Sequence, residues 1–148
     1  MTWSAHYFTL DELIHSDTAV RRSISNVPPP AIVNRLKSTA VSLDAVRRLL
    51  GRPIFVSSGY RGPELNRIVG GADSSAHTQG YAVDFTSPDF GSPLRVAEAI
   101  RDSGIRYDQL IHEGTWVHLS FDPRQRMQTL TARFRPGKPT TYDTGLHA

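Results

Sequence analysis

Cysteine is absent from the 148 residues of the chain, and lysine, methionine and tryptophan occur only twice each. Without cysteine there can be no disulfide, no zinc site with thiolate ligands and no cysteine nucleophile, so a metal would need histidine and carboxylate ligands. The chain has seventeen cationic side chains, fifteen of them arginine, and fourteen acidic ones. The resulting net charge of +3 is too small to indicate a polyanionic partner, and we expect no nucleic-acid binding.

Long apolar stretches are missing as well. No run of about 18 apolar residues occurs, and the start of the chain has no basic stretch followed by an apolar segment. We therefore expect no membrane insertion and no signal peptide, with synthesis in the cytoplasm. The length fits a single domain over residues 1–148, expected to be monomeric, with its core at about 8–123. Residues 124–148 are expected to form a C-terminal strand and an irregular tail.

Hydrophobic periodicity and turn residues predict an α+β fold. The predicted helices begin at Thr9, Ile32, Pro63 and Ser92, and residues 16–30 are interpreted as a connecting segment. The predicted strands lie at residues 54–57, 81–85, 108–113, 116–121 and 129–134. We expect an antiparallel sheet that contains the first four of these strands, with helices mainly on one face.

Alternation within two predicted strands indicates which side chains face the core. Val83 and Phe85 share one face of their strand, so Asp84 points away from the core. In the same way, Val117 and Leu119 share a face and leave His118 on the other. A carboxylate and an imidazole are therefore expected on the face of the sheet that the helices do not cover.

One segment carries the pattern S-x-H-x-x-G-x-A-x-D from Ser75 to Asp84, and Trp116-Val117-His118 follows, with His118 34 residues after Asp84. His77, Asp84 and His118 supply two imidazoles and one carboxylate. Three such ligands with one open position form the donor set of a catalytic zinc ion. These three residues could therefore hold one Zn²⁺ ion in a cleft on this face of the sheet, and the alternative is that each is an ordinary surface or hydrogen-bonded residue.

With Ser57-Ser58-Gly59-Tyr60-Arg61, these motifs resemble the zinc D-Ala-D-Ala peptidases. That family includes bacteriophage L-alanyl-D-glutamate endolysins and shares its fold with the hedgehog signalling domain. The resemblance covers roughly residues 8–123 and implies a zinc metallopeptidase that cuts the stem peptides or cross-links of peptidoglycan. It leaves open D-Ala-D-Ala carboxypeptidase, cross-link endopeptidase and L-Ala-D-Glu endopeptidase activity, and a phage or bacterial source. Action on the cell wall is implied, after release from the host cytoplasm if the protein is an endolysin.

The same resemblance implies that His77, Asp84 and His118 are the ligands of one Zn²⁺ ion. It also implies a general base, a glutamate shortly before the last histidine ligand. Some relatives place this glutamate three residues before the histidine, where this chain has Thr115, whereas Glu113 stands five residues before His118. As the only glutamate nearby, Glu113 is the predicted base. Asp108 and His112 are the alternatives, although strand alternation puts His112 on the face opposite Glu113.

Further site residues follow from the motifs. The resemblance implies that Arg61 contacts the substrate or the oxyanion, and the alternative is a surface salt bridge. Ser75 is predicted to hydrogen-bond the substrate or to cap its own loop. Tyr60 and Trp116 are predicted to form walls of the cleft, with a place in the core as the alternative.

Two other functions compete with the peptidase. A non-catalytic zinc-binding or interaction module on the same scaffold would agree with the unusual spacing of Glu113. A nucleic-acid binder would agree with the arginine excess, but the modest charge and the lack of clustered base-reading side chains speak against it.

Overall fold

The computed structural model describes residues 3–148, which fold into one α+β domain. Two short helices, α1 (Leu10–Ile14) and α2 (Asp17–Arg21), precede the long helix α3 (Pro30–Leu50). The sequence predicts only a connecting segment at residues 16–30. Helix α2 forms there because the Ser16 hydroxyl accepts a hydrogen bond from the Ala19 amide and caps its first turn.

The remaining elements follow, and all of them except the last agree closely with the sequence patterns. They are β1 (Phe55–Ser58), α4 (Pro63–Ile68), β2 (Ala82–Thr86), α5 (Pro93–Asp102), β3 (Gln109–His112), β4 (Val117–Ser120), β5 (Gln128–Arg133) and β6 (Thr141–Thr144). Each of the five predicted strands is confirmed to within one residue at either end.

The six strands form one sheet in the order β1-β2-β4-β3-β5-β6. All neighbouring pairs are antiparallel except β3 and β5, which are parallel, so the prediction of an antiparallel sheet is wrong at that pair. The reason is the short connection at residues 121–127. Strand β4 ends beside the start of β3, and this connection places the start of β5 there too, so β5 runs in the direction of β3.

The expectation of an irregular tail is also wrong for part of residues 135–148. Strand β6 pairs antiparallel with β5 and forms the outer edge of the sheet. An ion pair of 2.8 Å between Arg133 Nε and Asp143 Oδ2 joins the two strands. Gly137 has a φ of 69° in the intervening turn, a conformation that glycine adopts without strain.

The hydrophobic core lies between one face of the sheet and helices α1, α3 and α5. Leu36 and Leu43 of α3 pack there with Val83, Phe85 and Leu119 of the sheet, and all five side chains are fully buried. Asp84 and His118 therefore lie on the opposite face, as alternation predicts. Among residues 3–148, no helix is both long and apolar enough to cross a membrane.

A buried carboxylate fixes the connection that sets the parallel pairing. Asp108, which is 1% exposed, accepts hydrogen bonds from the backbone and guanidinium of Arg126 and from Arg124. Hydrogen bonding from Arg126 outweighs burial and lowers the pKa of Asp108. The ionised carboxylate thus ties residues 124–126 to the start of β3.

Replacing Asp108 with asparagine is expected to lower the free energy of unfolding at pH 7 by about 1–3 kcal/mol, because charged hydrogen bonds are lost. Because the pKa of Asp108 is lower in the folded protein than in the unfolded chain, the ionised carboxylate stabilises the fold at pH values above the ordinary aspartate pKa. This stabilisation is lost as the pH falls through the folded-state pKa. The difference between the variant and the wild type should therefore shrink below about pH 4. Urea unfolding of both proteins at pH 7 and pH 3 measures this difference in the free energy of unfolding. Asp102→Asn is the control, since that carboxylate is exposed and should show little change at either pH. An equal difference at both pH values would contradict the prediction.

Candidate active site

Three predicted ligand residues meet on the face of the sheet that the helices leave open. His77, Asp84 and His118 each offer one ligand atom, and these atoms lie within 4.8 Å of one another. Asp84 and His118 are register partners on β2 and β4, whereas His77 lies in the loop before β2. Asp84 Oδ1 stands 3.2 Å from His77 Nε2 and 3.0 Å from His118 Nδ1.

The backbone of the S-G-Y-R motif sets the orientation of the His77 ring. His77 Nδ1 lies 2.7 Å from the carbonyl oxygen of Gly59, and because a carbonyl only accepts, Nδ1 carries the hydrogen. Burial lowers the pKa of His77, although Asp84 opposes this shift, so the ring is neutral and Nε2 presents a lone pair. That lone pair faces Asp84 Oδ1, another acceptor, at 3.2 Å in a buried site.

Two hydrogen-bond acceptors this close together, with no hydrogen atom between them, form a site suited to a cation. Burial disfavours ionisation of Asp84, but the two adjacent imidazoles, with His118 in hydrogen-bond contact at 3.0 Å, outweigh it and hold the Asp84 pKa well below its usual range. Asp84 is therefore a carboxylate at any ordinary pH. One neutral imidazole with a fixed tautomer, one carboxylate and a second imidazole have the donor chemistry of a zinc site.

Gly59 has no room for a side chain. A β-carbon there would overlap the carbonyl oxygen of Leu13, and the adjacent Tyr60 amide donates to that same oxygen at 2.7 Å. The Arg61 amide in turn donates to the His77 carbonyl at 3.1 Å. The motif thus holds the loop of His77 through its backbone, a role that the motif pattern did not reveal.

A cavity of about 690 Å³ opens beside the three ligand residues. Its lining includes four other predicted site residues, namely Arg61, Ser75, Glu113 and Trp116. Tyr60 is different, because it is 5% exposed, belongs to the hydrophobic core and is not part of this lining. The structure thus places Tyr60 in the core, the alternative that the sequence left open.

Glu113 stands where β3 ends, and its amide donates to the Trp116 carbonyl at 3.0 Å to close the turn. Burial, and then the charge of Asp84, raises the pKa of Glu113. His118, the Trp116 indole and Arg61 act in the opposite direction. The Trp116 indole nitrogen is nevertheless buried without a properly aligned hydrogen-bond partner, so its contact with Glu113 is a poor hydrogen bond.

The two alternative bases are engaged with other groups, although Asp108 also lines the cavity. Asp108 is held by Arg126 and Arg124. His112 lies on the opposite face of the sheet, where its Nδ1 is 2.9 Å from the His147 carbonyl oxygen. Glu113 is the member of this group that lies in the cavity with a raised pKa.

Arg61 extends into the same cavity. Its Nη2 donates to Ser75 Oγ at 3.4 Å, and its Nε is buried without a partner. Burial lowers the pKa of Arg61, and the charges of Asp84 and Glu113 raise it. Within the described part of the chain no carboxylate is within salt-bridge distance of Arg61, so the alternative of a surface salt bridge is not what the structure shows.

Ser75 also binds its own loop. Its hydroxyl oxygen accepts from the His77 amide at 3.2 Å, which matches the alternative of a loop cap. The same oxygen accepts from Arg61, so Ser75 links the S-G-Y-R motif to the loop that carries His77.

Two aromatic cavity residues come from residues 124–148, where the sequence predicts a strand that ends at Phe134 and an irregular tail after it. Phe134 and Tyr142 line the cavity from the β5–β6 hairpin, and the rings of Phe134 and Trp116 have centroids 6.3 Å apart. The run Thr140-Thr141-Tyr142-Asp143-Thr144 is rich in residues that favour strands. That composition was the available signal for β6.

The Gly59→Ala variant is expected to displace the carbonyl that orients His77, because the added methyl group meets the Leu13 backbone. Loss of such an orienting contact weakens metal binding by about 10–100-fold. Titration of the metal-free protein with Zn²⁺ measures the change. Gly62→Ala is the matched control, since its β-carbon meets no atom closer than 3.5 Å and its φ is −63°. Unchanged zinc affinity in the folded Gly59→Ala variant would refute the role given to Gly59.

Comparison with known proteins agrees with this geometry. The family model described as Peptidase M15 matches residues 6–120, a range that contains His77, Asp84, Glu113 and His118. No curated protein matches the chain. The match covers more than half of the 148 residues and confirms the resemblance at the level of the family. The chain therefore belongs to the Peptidase M15 family.

Proposed function

We propose that the protein is a zinc-dependent peptidase that hydrolyses peptide bonds in the stem peptides or cross-links of peptidoglycan, and that it acts on the cell wall. The observation that carries the proposal is the buried cluster of His77, Asp84 and His118 beside a cavity that also contains Glu113 and Arg61. Membership of a peptidase family supports hydrolysis of a peptide bond.

The three clustered residues would hold one Zn²⁺ ion. His77 would bind it through Nε2, because Nδ1 is occupied by the Gly59 carbonyl. Asp84 would bind it as a carboxylate, and His118 as the second imidazole. When bound, zinc supplies Lewis-acid chemistry, since it polarises a carbonyl group and lowers the pKa of water.

Glu113 moves the proton in this mechanism. Its carboxylate accepts a proton from the attacking water and passes it to the amine that leaves when the peptide bond breaks. A carboxyl whose pKa is raised by burial suits both steps, because its two protonation states lie closer in free energy near neutral pH. Its position in the turn after β3 brings it to the cavity that contains the three ligands.

Arg61 is placed to interact with negative charge in the cavity. Arg61 lines the cavity, and no carboxylate of the described residues lies within salt-bridge distance of it, so its guanidinium is available to a negatively charged group there. A guanidinium there stabilises charge that develops on the carbonyl oxygen, or pairs with a carboxylate of the stem peptide. Ser75 fixes the guanidinium through its contact with Nη2.

The Glu113→Gln variant is expected to retain zinc and lose about 10²–10⁴-fold in rate, because the amide cannot accept the proton. Purified peptidoglycan is incubated with each protein, and the released products are identified by mass spectrometry while zinc content is measured. Glu64→Gln, at an exposed position of α4, is the matched control and should keep full activity. His77→Ala should lose both zinc and activity.

The same assay decides against the competing function. A wild type that binds one zinc ion but releases no product from several types of wall would overturn the peptidase and favour a zinc-binding module. Activity retained in Glu113→Gln would overturn the role of Glu113 alone. The product masses would identify the bond that is cut.

A further inference from the structure

The β5–β6 hairpin, residues 128–144, contributes a wall to the cavity although it lies outside the 6–120 range that the family model matches. It adds two strands to the sheet next to β3. Three of its residues line the cavity, and they are Leu130, Phe134 and Tyr142. The family motifs therefore assign no role to this part of the site.

The strand registers place Tyr142 in the same row as Glu113. His112 pairs with Thr131 in the parallel ladder, so the next row sets Glu113 beside Ala132, and Ala132 pairs with Tyr142. Glu113 and Tyr142 are thus separated by one strand, or about 10 Å of backbone, on one face of the sheet. Ala132, between them, has only a methyl group and leaves space above the sheet for the tyrosine side chain.

The charges around Tyr142 agree with this placement. Burial raises the pKa of Tyr142, and the negative charges of Glu113 and Asp84 raise it further. The hydroxyl is therefore within electrostatic reach of the proposed base and of one proposed ligand. It stays protonated at neutral pH and is available as a hydrogen-bond donor.

The neighbouring aromatic residues complete the wall. Trp116 and Phe134 are in ring contact, and the buried indole N–H of Trp116 is unsatisfied. Tyr142 remains 51% exposed, so its ring has surface left to cover a ligand. This wall offers apolar area with the Tyr142 hydroxyl as a donor, which suits the side chain and a carbonyl oxygen of an extended peptide.

We propose that Tyr142 is a substrate-contacting residue whose hydroxyl donates a hydrogen bond to a backbone carbonyl of the bound peptide, while its ring covers the adjacent peptide residue with Phe134 and Trp116. This inference rests on the proposed peptidase function. It extends the site to a strand that follows the range matched by the family model and assigns substrate binding to it.

The test compares wild type, Tyr142→Phe and Thr141→Val in steady-state hydrolysis of purified muropeptides. Thr141 is the matched control because it is exposed on the same strand with its side chain on the opposite face. Loss of one neutral hydrogen bond predicts a KM about 3–10-fold higher for Tyr142→Phe, with kcat nearly unchanged. Zinc content and thermal unfolding temperature should match the wild type in both variants.

Each outcome has a defined meaning. A KM increase confined to Tyr142→Phe supports the contact. Equal KM values for Tyr142→Phe and wild type overturn it, and so does an equal KM increase in Thr141→Val, which would trace the effect to the strand. A zinc-loaded wild type that cleaves no muropeptide overturns the proposed function and this inference with it, whereas an active wild type with unaffected Tyr142→Phe overturns only this inference.

Discussion

Asp84 and His118 face each other across the antiparallel pair of β2 and β4, and the geometry of the whole site depends on this register. A slip of one residue would turn either side chain into the core, because successive side chains in a strand point to opposite faces. The apolar neighbours prevent such a slip, since Val83, Phe85, Val117 and Leu119 are completely buried beneath the helices. Hydrophobic packing on one face of the sheet thereby determines the position of charged and polar groups on the other.

The third residue of the cluster is positioned by different means. His77 belongs to a loop and has no ladder to hold it, so the backbone of residues 59–61 takes that role through hydrogen bonds to its ring and its carbonyl. These residues are themselves bound to the Leu13 carbonyl at the end of α1. The N-terminal helix therefore supports the site without contributing a side chain to it. Such outer contacts set the tautomer of an imidazole ligand as well as its direction.

Local patterns predicted the parts of the site that depend on local structure. Alternation placed Asp84 and His118 on the open face of the sheet and His112 on the face opposite Glu113, because period-two geometry holds within any regular strand. The parallel pairing of β5 with β3 could not be predicted from alternation. It depends on where the connection from β4 places the start of β5. The exposed strand β6 carries no apolar alternation, so Tyr142 was not recognised as a residue of the site. Tyr60 was predicted as a wall of the cleft because it belongs to a motif, but it is buried in the core. A residue in a functional motif can therefore serve core packing alone.

The ligand cluster and the β5–β6 hairpin are encoded in separate stretches of the chain and meet only because β5 is attached along the edge of β3. Residues after 120 can therefore vary in sequence or length without altering the strand register that brings Asp84 to His118. In this arrangement the chemistry and the choice of substrate are open to separate selection, and relatives could diversify in the walls they recognise while inheriting the same means of cleavage.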